Sequence, residues 1–110
     1  MISDQWDVVR VPFPFTDKAA SKKRPALALS KTAFNSASGH TIMAMITKLE
    51  NNPWPADYEV RQWSQAGLRI SSRIRMKFFT IENTLIVDKL GVLQPIDIAG
   101  FFTVAKAVMW

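Results

Sequence analysis

Short apolar runs separated by turn-forming residues dominate the chain, and this pattern predicts a set of β-strands. The first run covers residues 6–12 and is ended by Pro12 and Pro14, which lack the backbone N–H that a sheet ladder needs. The second run, residues 24–31, has a continuous apolar centre that indicates burial on both faces. Residues 16–23 between them are polar and are predicted to form a loop.

Four further strands are predicted along the rest of the chain, at residues 40–47, 58–60, 72–81 and 85–87. The run at 40–47 favours a strand over a helix because it is rich in β-branched residues and follows a Ser-Gly pair. Residues 35–39 are predicted to form a turn before it. Residues 90–93 are predicted to turn the chain towards its end.

A helix is predicted to begin at Pro95, with Asp97 in its first turn and Lys106 near its last, which suits the helix dipole. An apolar stripe with helical spacing is formed by Ile98, Phe102, Ala105 and either Val108 or Met109. The stripe is predicted to pack on the sheet. Five or six short strands and a terminal helix therefore predict a mainly β domain, built as a strongly bent antiparallel sheet or a small barrel.

The size and composition of the chain narrow the class of protein. Residues 1–110 are enough for a single domain and too few for two. The sequence has no cysteine, which excludes disulfides, thiolate catalysis and Cys-ligated zinc. It has no apolar tract long enough to span a membrane and no pattern of a signal peptide, so a cytoplasmic location is expected.

Positive charge is concentrated in two stretches that contain no acid. The net charge is +5, from 14 basic and 9 acidic residues. The first acid-free stretch lies between Asp17 and Glu50, and the second between Glu59 and Glu82. Such stretches favour a polyanion or a strongly acidic protein as the partner, although a merely solvated basic face is the simpler alternative.

The predicted strand at residues 72–81 carries three of these cations on one face. Alternation places Arg73, Arg75 and Lys77 together, while Ile74, Met76 and Phe78 face the other way. Three neighbouring cations repel one another. That face is therefore not expected to be buried unless anions accompany it.

Several segments together resemble the MazF/PemK family of toxins. The main ones are Trp-Asp-Val-Val-Arg-Val-Pro-Phe-Pro-Phe-Thr-Asp at residues 6–17 and Lys-Arg-Pro-Ala-Leu-Ala-Leu-Ser at residues 23–30. The runs at residues 45–47, 75–81 and 90–93 are similar to later strands and a turn of the family. The resemblance covers most of the chain.

The resemblance implies both a fold and a function. The fold would be a small SH3-like barrel with a C-terminal helix, usually in a homodimer. The protein would be the toxin of a type II toxin–antitoxin pair, an endoribonuclease that cleaves single-stranded mRNA without a metal or other cofactor. The ribose 2′-OH would attack the adjacent phosphorus and leave a cyclic phosphate. A cognate antitoxin with an acidic tail would cover the RNA groove.

Two residues match the catalytic positions that the resemblance implies. Arg24, before the proline, would stabilise the negative charge of the phosphorane-like transition state. Thr47, at the end of the third strand, would hold a phosphate oxygen or the attacking 2′-OH. Without the resemblance, the simpler reading of each is an ordinary residue of a strand end, a solubilising cation for Arg24 and a common strand threonine for Thr47.

The predicted RNA-binding residues are Lys22, Lys23, Phe15, Thr16, Ser30, Arg73, Arg75 and Lys77. Phe15 would stack on an unpaired base, and Thr16 and Ser30 would contact phosphate, although all three are also at home in loops or packed strands. The cations would contact phosphate. Replacing Arg75 by alanine is expected to lower the salt dependence of RNA binding by about one unit of slope.

One departure from the family concerns the general base. Many members have an acid in the later strand, close to the arginine, whereas residues 60–81 of this chain contain none. Asp17 or another residue would have to accept the proton, or catalysis would be weak. His40 is a further candidate, but its position beside Gly39 favours a turn or sheet-edge role.

Two alternatives to a ribonuclease remain open at this stage. One is a non-enzymatic poison of gyrase on the same fold, acting through a C-terminus that here ends in Trp110, although packing of Trp110 on the core is the simpler expectation. The other is an inactive member that only binds its antitoxin. Trp54 and Trp63 are further candidates for an interface.

Overall fold

The computed structural model describes residues 1–12 and 22–110. The strands are β1 Asp7–Pro12, β2 Lys23–Ala28, β3 His40–Lys48, β4 Tyr58–Glu59, β5 Ser72–Glu82 and β6 Asp88–Val92. The helices are α1 Thr32–Ser38 and α2 Pro95–Met109, and a 3₁₀ turn covers Asn83–Leu85. The prediction of a mainly β fold with a terminal helix is confirmed.

The six strands form one antiparallel sheet in the order β4-β5-β3-β2-β1-β6, curled into a half-barrel. The register shifts at Val8/Val9 between β1 and β6, and at Ala44/Ile46 between β3 and β5. Such bulges add local twist, which helps a sheet to curl. The chain extends 31 × 29 × 27 Å. Its shape is therefore nearly isotropic.

Both faces of the sheet are covered by apolar clusters, as the continuous apolar centre of β2 predicts. Leu27 belongs to the larger cluster, which includes Phe101 and Ala105 of α2. Its neighbour Ala26 belongs to a second cluster, which includes Val11. Successive residues of a strand, such as Ala26 and Leu27, point to opposite faces of the sheet. Because only the cluster of Leu27 includes residues of α2, this helix covers one side of the sheet. The other side, which carries the cluster of Ala26 and Val11, is called here the Val11 face.

Three sequence predictions of secondary structure are wrong. Residues 35–39 contain the end of α1, which stops at Gly39 in the left-handed conformation (φ 72°). The predicted strand at 85–87 begins as a 3₁₀ turn, and the predicted turn at 90–93 largely belongs to β6. In the last case, pairing with β1 outweighs the local turn signal. That partner lies far away in the sequence and is invisible to local patterning.

The apolar stripe of α2 also differs from the prediction. Phe102 is 56% exposed, whereas Phe101 and Ala105 are buried. A buried carboxylate sets the rotation of the helix, because Asp97 accepts hydrogen bonds from the Tyr58 hydroxyl and from two backbone N–H groups of the segment that follows β4. Neither α2 nor α1, the two α-helices in the described part of the chain, is long and apolar enough to cross a membrane.

Candidate functional site

Strand register brings the two predicted catalytic residues together. In the β2–β3 pair, Ala26 lies opposite Met45, and continuing this antiparallel register by two residues places Arg24 opposite Thr47. In the β3–β5 pair, Thr47 lies opposite Arg73. Arg24, Thr47 and Arg73 therefore form a row across three neighbouring strands, although they are far apart in sequence.

This row lies on the Val11 face of the sheet. Arg24 pairs with Val11 of β1, and Val11 belongs to the cluster on that face. Directly paired residues point to the same side of a sheet, so Arg24 shares the side of Val11. Arg73 shares a side with Ile81 of the same cluster, because the two residues are eight positions apart on β5 and every second residue of a strand points to the same side.

A cleft of about 380 Å³ is lined by residues from both sides of the sheet: Arg24 and Thr47 come from the Val11 face, whereas Ile46 and Leu68 belong to the cluster that packs on α2. Its remaining cations are Arg10, Lys22, Lys23, Lys48 and Arg69. Its apolar wall is formed by Pro25, Ile46, Leu68, Ile70 and Leu90. Among the described residues, no Asp, Glu or His lines the cleft. A cleft rimmed by one sign of charge concentrates anions, and phosphate is the expected ligand here.

One wall of the cleft is a loop seated closely on β6. Gly67 has a left-handed backbone (φ +88°), and a Cβ added there would lie 2.1 Å from the carbonyl oxygen of Leu90. Only glycine permits this approach without moving one of the two segments. The loop thereby carries Leu68 and Arg69 to the cleft.

The Thr47 hydroxyl is buried and oriented. Its Oγ1 atom accepts a 2.7 Å hydrogen bond from Asn51 Nδ2, and only 6% of the residue is exposed. The carbonyl oxygen of Asn51 accepts a bond of 2.9 Å from Arg73 Nη1. Asn51 therefore links Thr47 to Arg73. With one lone pair engaged, the Thr47 hydroxyl proton can be donated into the cleft.

Arg10 lies at the edge of the cleft and is held by an acid from β6. Its Nε and Nη2 atoms donate to the two carboxylate oxygens of Asp88 over 2.9 and 2.8 Å. These hydrogen bonds lower the pKa of Asp88 below its usual value. Because Asp88 offsets the charge of Arg10, the attraction for phosphate rests mainly on the other cations.

Arg75 forms a buried ion pair, so it differs from its neighbours on the same face. Its guanidinium donates to both carboxylate oxygens of Asp57, and the two side chains are only 10% and 6% exposed. Arg75 Nη2 also donates to the carbonyl oxygen of Asn52 over 2.8 Å. Asp57 is thus the anion that burial of a basic strand face requires. The predicted contact between Arg75 and RNA stays a prediction, but this guanidinium has a structural task.

The other predicted site residues are divided between three places. Lys22 and Lys23 line the cleft with Arg24. Ser30 lies beyond the opposite end of β2, where its hydroxyl donates to Asn35 and accepts from the backbone of Ile42. Lys77 lies 5.3 Å from the ring centre of Trp54.

Three of the candidate residues belong to the segment between β1 and β2. Phe15, Thr16 and the candidate base Asp17 lie outside the described residues. His40 is the first residue of β3, at the opposite end of the strand from Thr47. Its Nδ1 atom is hydrogen-bonded to the carbonyl oxygen of Ser38. It therefore has the turn role that its neighbours favour.

Sequence reasoning missed four residues of the site, namely Arg10, Lys48, Asn51 and Arg69. Only the register of the sheet and the seating of the Gly67 loop bring them to the cleft. Within the described residues, no group of three His, Asp or Glu side chains is arranged to hold a metal ion.

Comparison with solved structures shows the same fold in proteins of low sequence identity. One is an endoribonuclease in complex with its cognate antitoxin from a mycobacterial species, with a TM-score of 0.75, 14% identity and coverage of 98% of this chain and 93% of that chain. A MazE–MazF structure from Deinococcus radiodurans gives 0.76 and 15%, covering 99% and 96%. The Mycobacterium tuberculosis toxin MazF-mt6 gives 0.73 and 16%, covering 92% and 93%.

Comparison of sequences supplies the family. No curated protein matches the chain. Residues 4–106 match the model of a family described as PemK-like, MazF-like toxins of type II toxin–antitoxin systems. The resemblance seen in the sequence segments is thereby confirmed. With nearly its whole length matched, this chain belongs to the PemK-like, MazF-like family of type II toxins.

Proposed function

We propose that this protein is the toxin of a type II toxin–antitoxin pair and acts as an endoribonuclease on single-stranded mRNA. The observation that carries the proposal is the meeting of Arg24 and Thr47 in one cleft with a cationic rim. The solved relatives with the same fold include an endoribonuclease bound to its cognate antitoxin. Membership of the toxin family and the chemistry of the cleft point to the same activity.

The reaction we propose needs no group beyond the RNA, the protein and solvent. The ribose 2′-oxygen forms a new bond to the adjacent phosphorus, and the bond from phosphorus to the 5′-oxygen breaks. The products are a 2′,3′-cyclic phosphate and a free 5′-hydroxyl. The 2′-OH loses one proton and the departing 5′-oxygen gains one, so charge and atoms balance.

Arg24 and Thr47 have complementary roles in this step. The Arg24 guanidinium donates to the non-bridging phosphate oxygens, whose negative charge grows in the transition state. The Thr47 hydroxyl, oriented by Asn51, donates to a phosphate oxygen or holds the 2′-OH. Lys22, Lys23 and Arg69 bring the RNA backbone to the cleft.

The general base is the unassigned part of the site. The described residues of the cleft include no carboxylate, so we propose Asp17 as the acceptor of the 2′-OH proton. Arg24 or solvent would supply the proton to the departing oxygen. An Asp17→Asn variant that cleaves as fast as the parent would leave solvent as the base.

The biological setting follows from the same proposal. The partners are single-stranded mRNA and a cognate antitoxin with an acidic segment that competes for the basic cleft. The chain acts as a single domain, in a homodimer, and works in the cytoplasm where mRNA is translated. The net charge of +5 suits both partners.

The test is cleavage of a long single-stranded RNA by the purified protein in EDTA, with mapping of the new ends. We expect discrete cuts with cyclic-phosphate ends. Arg24→Ala should slow single-turnover cleavage by about 10²- to 10³-fold, the usual effect of removing one preorganised donor. Lys106→Ala serves as the control, because Lys106 is an exposed cation on α2, a helix that contributes no residue to the lining of the cleft.

Intact RNA over a wide range of protein concentration would contradict the proposal. Equal cleavage by the parent and Arg24→Ala would contradict the role of Arg24. Cleavage that requires a divalent ion would contradict the metal-free reaction.

A gyrase poison is the second candidate, and one observation favours it. Trp110 was expected to pack on the core, but it is 86% exposed at the end of α2. That prediction is wrong because the last buried residue of α2 is Ala105, and the final turn of the helix, with Val108 and Met109, is exposed as well. Deletion of Trp110 should abolish growth arrest if the protein is a gyrase poison. Arrest should persist if it is a ribonuclease.

A further inference from the structure

Trp54 stands out as a large aromatic side chain held rigidly in an exposed position. The residue is 43% exposed, and its ring lies beside two cations of β5. The guanidinium carbon of Arg75 is 5.4 Å from the ring centre, and Lys77 Nζ is 5.3 Å from it. Contacts of this kind orient an aromatic ring on the surface.

The backbone of Trp54 is fixed by the buried ion pair. Its N–H donates to Asp57 Oδ2 over 2.9 Å, and its carbonyl oxygen accepts from the N–H of Asp57 over 3.2 Å. Asp57 is in turn held by both arms of Arg75. Ala56 inside this turn has a left-handed backbone (φ 61°), which is uncommon for a residue with a side chain.

The same loop is joined to the proposed active site. Asn51, which orients the Thr47 hydroxyl, precedes Trp54 by three residues. Three residues of extended chain span about 11 Å at most. Arg75 and Lys77 also share the Val11 face with Arg73, which lies opposite Thr47. The ring of Trp54 therefore lies close to the row that contains Arg24 and Thr47.

We propose that Trp54 is a stacking platform for an unpaired base of the RNA, one that neighbours the cleaved phosphate. The proposal rests on the proposed function, because it takes single-stranded RNA as the substrate. Every base has a π-face, so stacking adds affinity without requiring a particular sequence. Lys77, whose Nζ lies 5.3 Å from the ring centre, suits a phosphate that flanks a stacked base, and Arg73 lies four residues earlier on β5.

RNA fits this surface better than an acidic peptide does. An aromatic ring lined by cations would attract either ligand. Only the substrate, however, has to reach Thr47 and the ring at once, and Asn51, which is hydrogen-bonded to Thr47, lies in the same loop as Trp54. Arg75 and Lys77, whose side chains lie at the ring, follow Arg73 by two and four residues on β5, a span of about 7 to 13 Å at the rise of a strand. A strand of about four nucleotides, the small end of single-strand binding sites, covers such a span.

The test measures RNA binding separately from cleavage. The probe is a fluorescent single-stranded RNA with 2′-O-methyl groups, which cannot supply the attacking 2′-OH. We expect Trp54→Ala to weaken its binding by about 5- to 150-fold, the range for loss of one base–aromatic stack. Trp54→Phe should retain most of the affinity. Trp110→Ala is the matched control, because it removes an exposed tryptophan at the end of α2.

A second probe separates stacking from charge. An abasic strand of the same length keeps its phosphates but offers no base. It should bind the parent and Trp54→Ala equally well. Thermal melting of each variant checks that the fold is intact.

The outcomes discriminate clearly. Equal binding of the 2′-O-methyl RNA by the parent and Trp54→Ala would overturn the inference, as would equal losses for that RNA and the abasic strand. A parent that binds neither would overturn it as well. Tight, Trp54-dependent binding without cleavage of unmodified RNA would instead uphold the platform and contradict the proposed ribonuclease.

Discussion

At the scale of single residues, the surroundings of the Thr47 hydroxyl support the role proposed for it. Its position at the end of β3 is ordinary, but Asn51 engages one of its lone pairs and the cleft lies beside it. The side chain is therefore preorganised before any substrate arrives. Preorganised donors are effective because they need not reorient during the reaction.

Replacing Thr47 by valine removes the hydroxyl and keeps the branched shape. We expect single-turnover cleavage to slow by about 10- to 150-fold, which corresponds to losing a hydrogen bond of about 1.5–3 kcal/mol to a charged group. Thr47→Ser should retain most of the activity. Thr103→Val is the control, because the Thr103 hydroxyl only donates to a carbonyl oxygen within α2. An active Thr47→Val protein would show that the hydroxyl has no part in the reaction.

At the scale of elements, the Arg75–Asp57 pair connects β5 to the loop that precedes β4. Both side chains are almost fully buried, so each neutralises a charge that would otherwise be costly to bury. Arg73, two residues earlier on the same face, donates to a single backbone oxygen in an exposed setting. The two arginines look equivalent in the sequence and differ in their surroundings.

Removing one partner of this pair should destabilise the protein strongly. We expect Arg75→Ala to lower the free energy of unfolding by about 3–5 kcal/mol, because Asp57 is left buried without its counter-charge. Arg73→Ala should cost less than about 1 kcal/mol. Urea unfolding of the two variants measures the difference. Similar losses would mean that the ion pair contributes no more than an exposed contact.

The contact between β4 and α2 should make stability sensitive to alkaline pH. Two effects raise the pKa of Tyr58 to about 12: burial, which is the larger, and the hydrogen bond to Asp97. The folded protein therefore holds this proton more tightly than the unfolded chain does. The stabilisation is complete below pH 10, the ordinary pKa of tyrosine, and is lost as pH rises towards 12.

Tyr58→Phe removes this titration. We expect the parent to lose more stability than Tyr58→Phe as pH rises from about 10 to about 12, and the variant to be less stable at neutral pH because the bond to Asp97 is missing. Urea midpoints of both proteins measured across this range provide the comparison. Parallel curves would rule out a raised pKa for Tyr58.

At the scale of the whole molecule, the placement of charge bears on the proposed binding of RNA. The cleft gathers cations from β1, β2, β3 and the Gly67 loop, while the charges of Arg10 and Arg75 are already matched by acids. The effective charge that meets a phosphate chain is therefore smaller than a count of lysines and arginines suggests. Salt dependence of binding reports that effective number.

Cleft cations and paired cations should differ in a salt titration. We expect Lys23→Ala to reduce the slope of log affinity against log salt by about 0.7, the value for one contact with a single strand. Lys106→Ala should leave the slope unchanged. The expectation of one unit for Arg75→Ala, made from the sequence, is tested in the same titration. The pair with Asp57 favours a smaller change, and a full unit would show that Arg75 contacts phosphate.

Much of the fold could be predicted because its causes are local. Alternation along β5 correctly places Arg73, Arg75 and Lys77 on one face, and Pro95 correctly marks the start of α2. The rotation of α2 could not be predicted, because it depends on Asp97 meeting Tyr58 and the backbone after it. Likewise, β6 is a strand because of its pairing with β1, at the other end of the chain.

The sequence by itself determined where most of the strands and the C-terminal helix form, which residues share a strand face, and, through its resemblance to a family, that Arg24 and Thr47 are the proposed catalytic residues. Hydrophobic periodicity and turn-forming residues act over a few positions, so their effects can be recognised directly in the sequence. Only the tertiary structure decided which cations line the cleft and which are neutralised, and that Trp54 is held beside the site. These features depend on strand register and on contacts between residues distant in sequence, and long-range pairing leaves no local pattern.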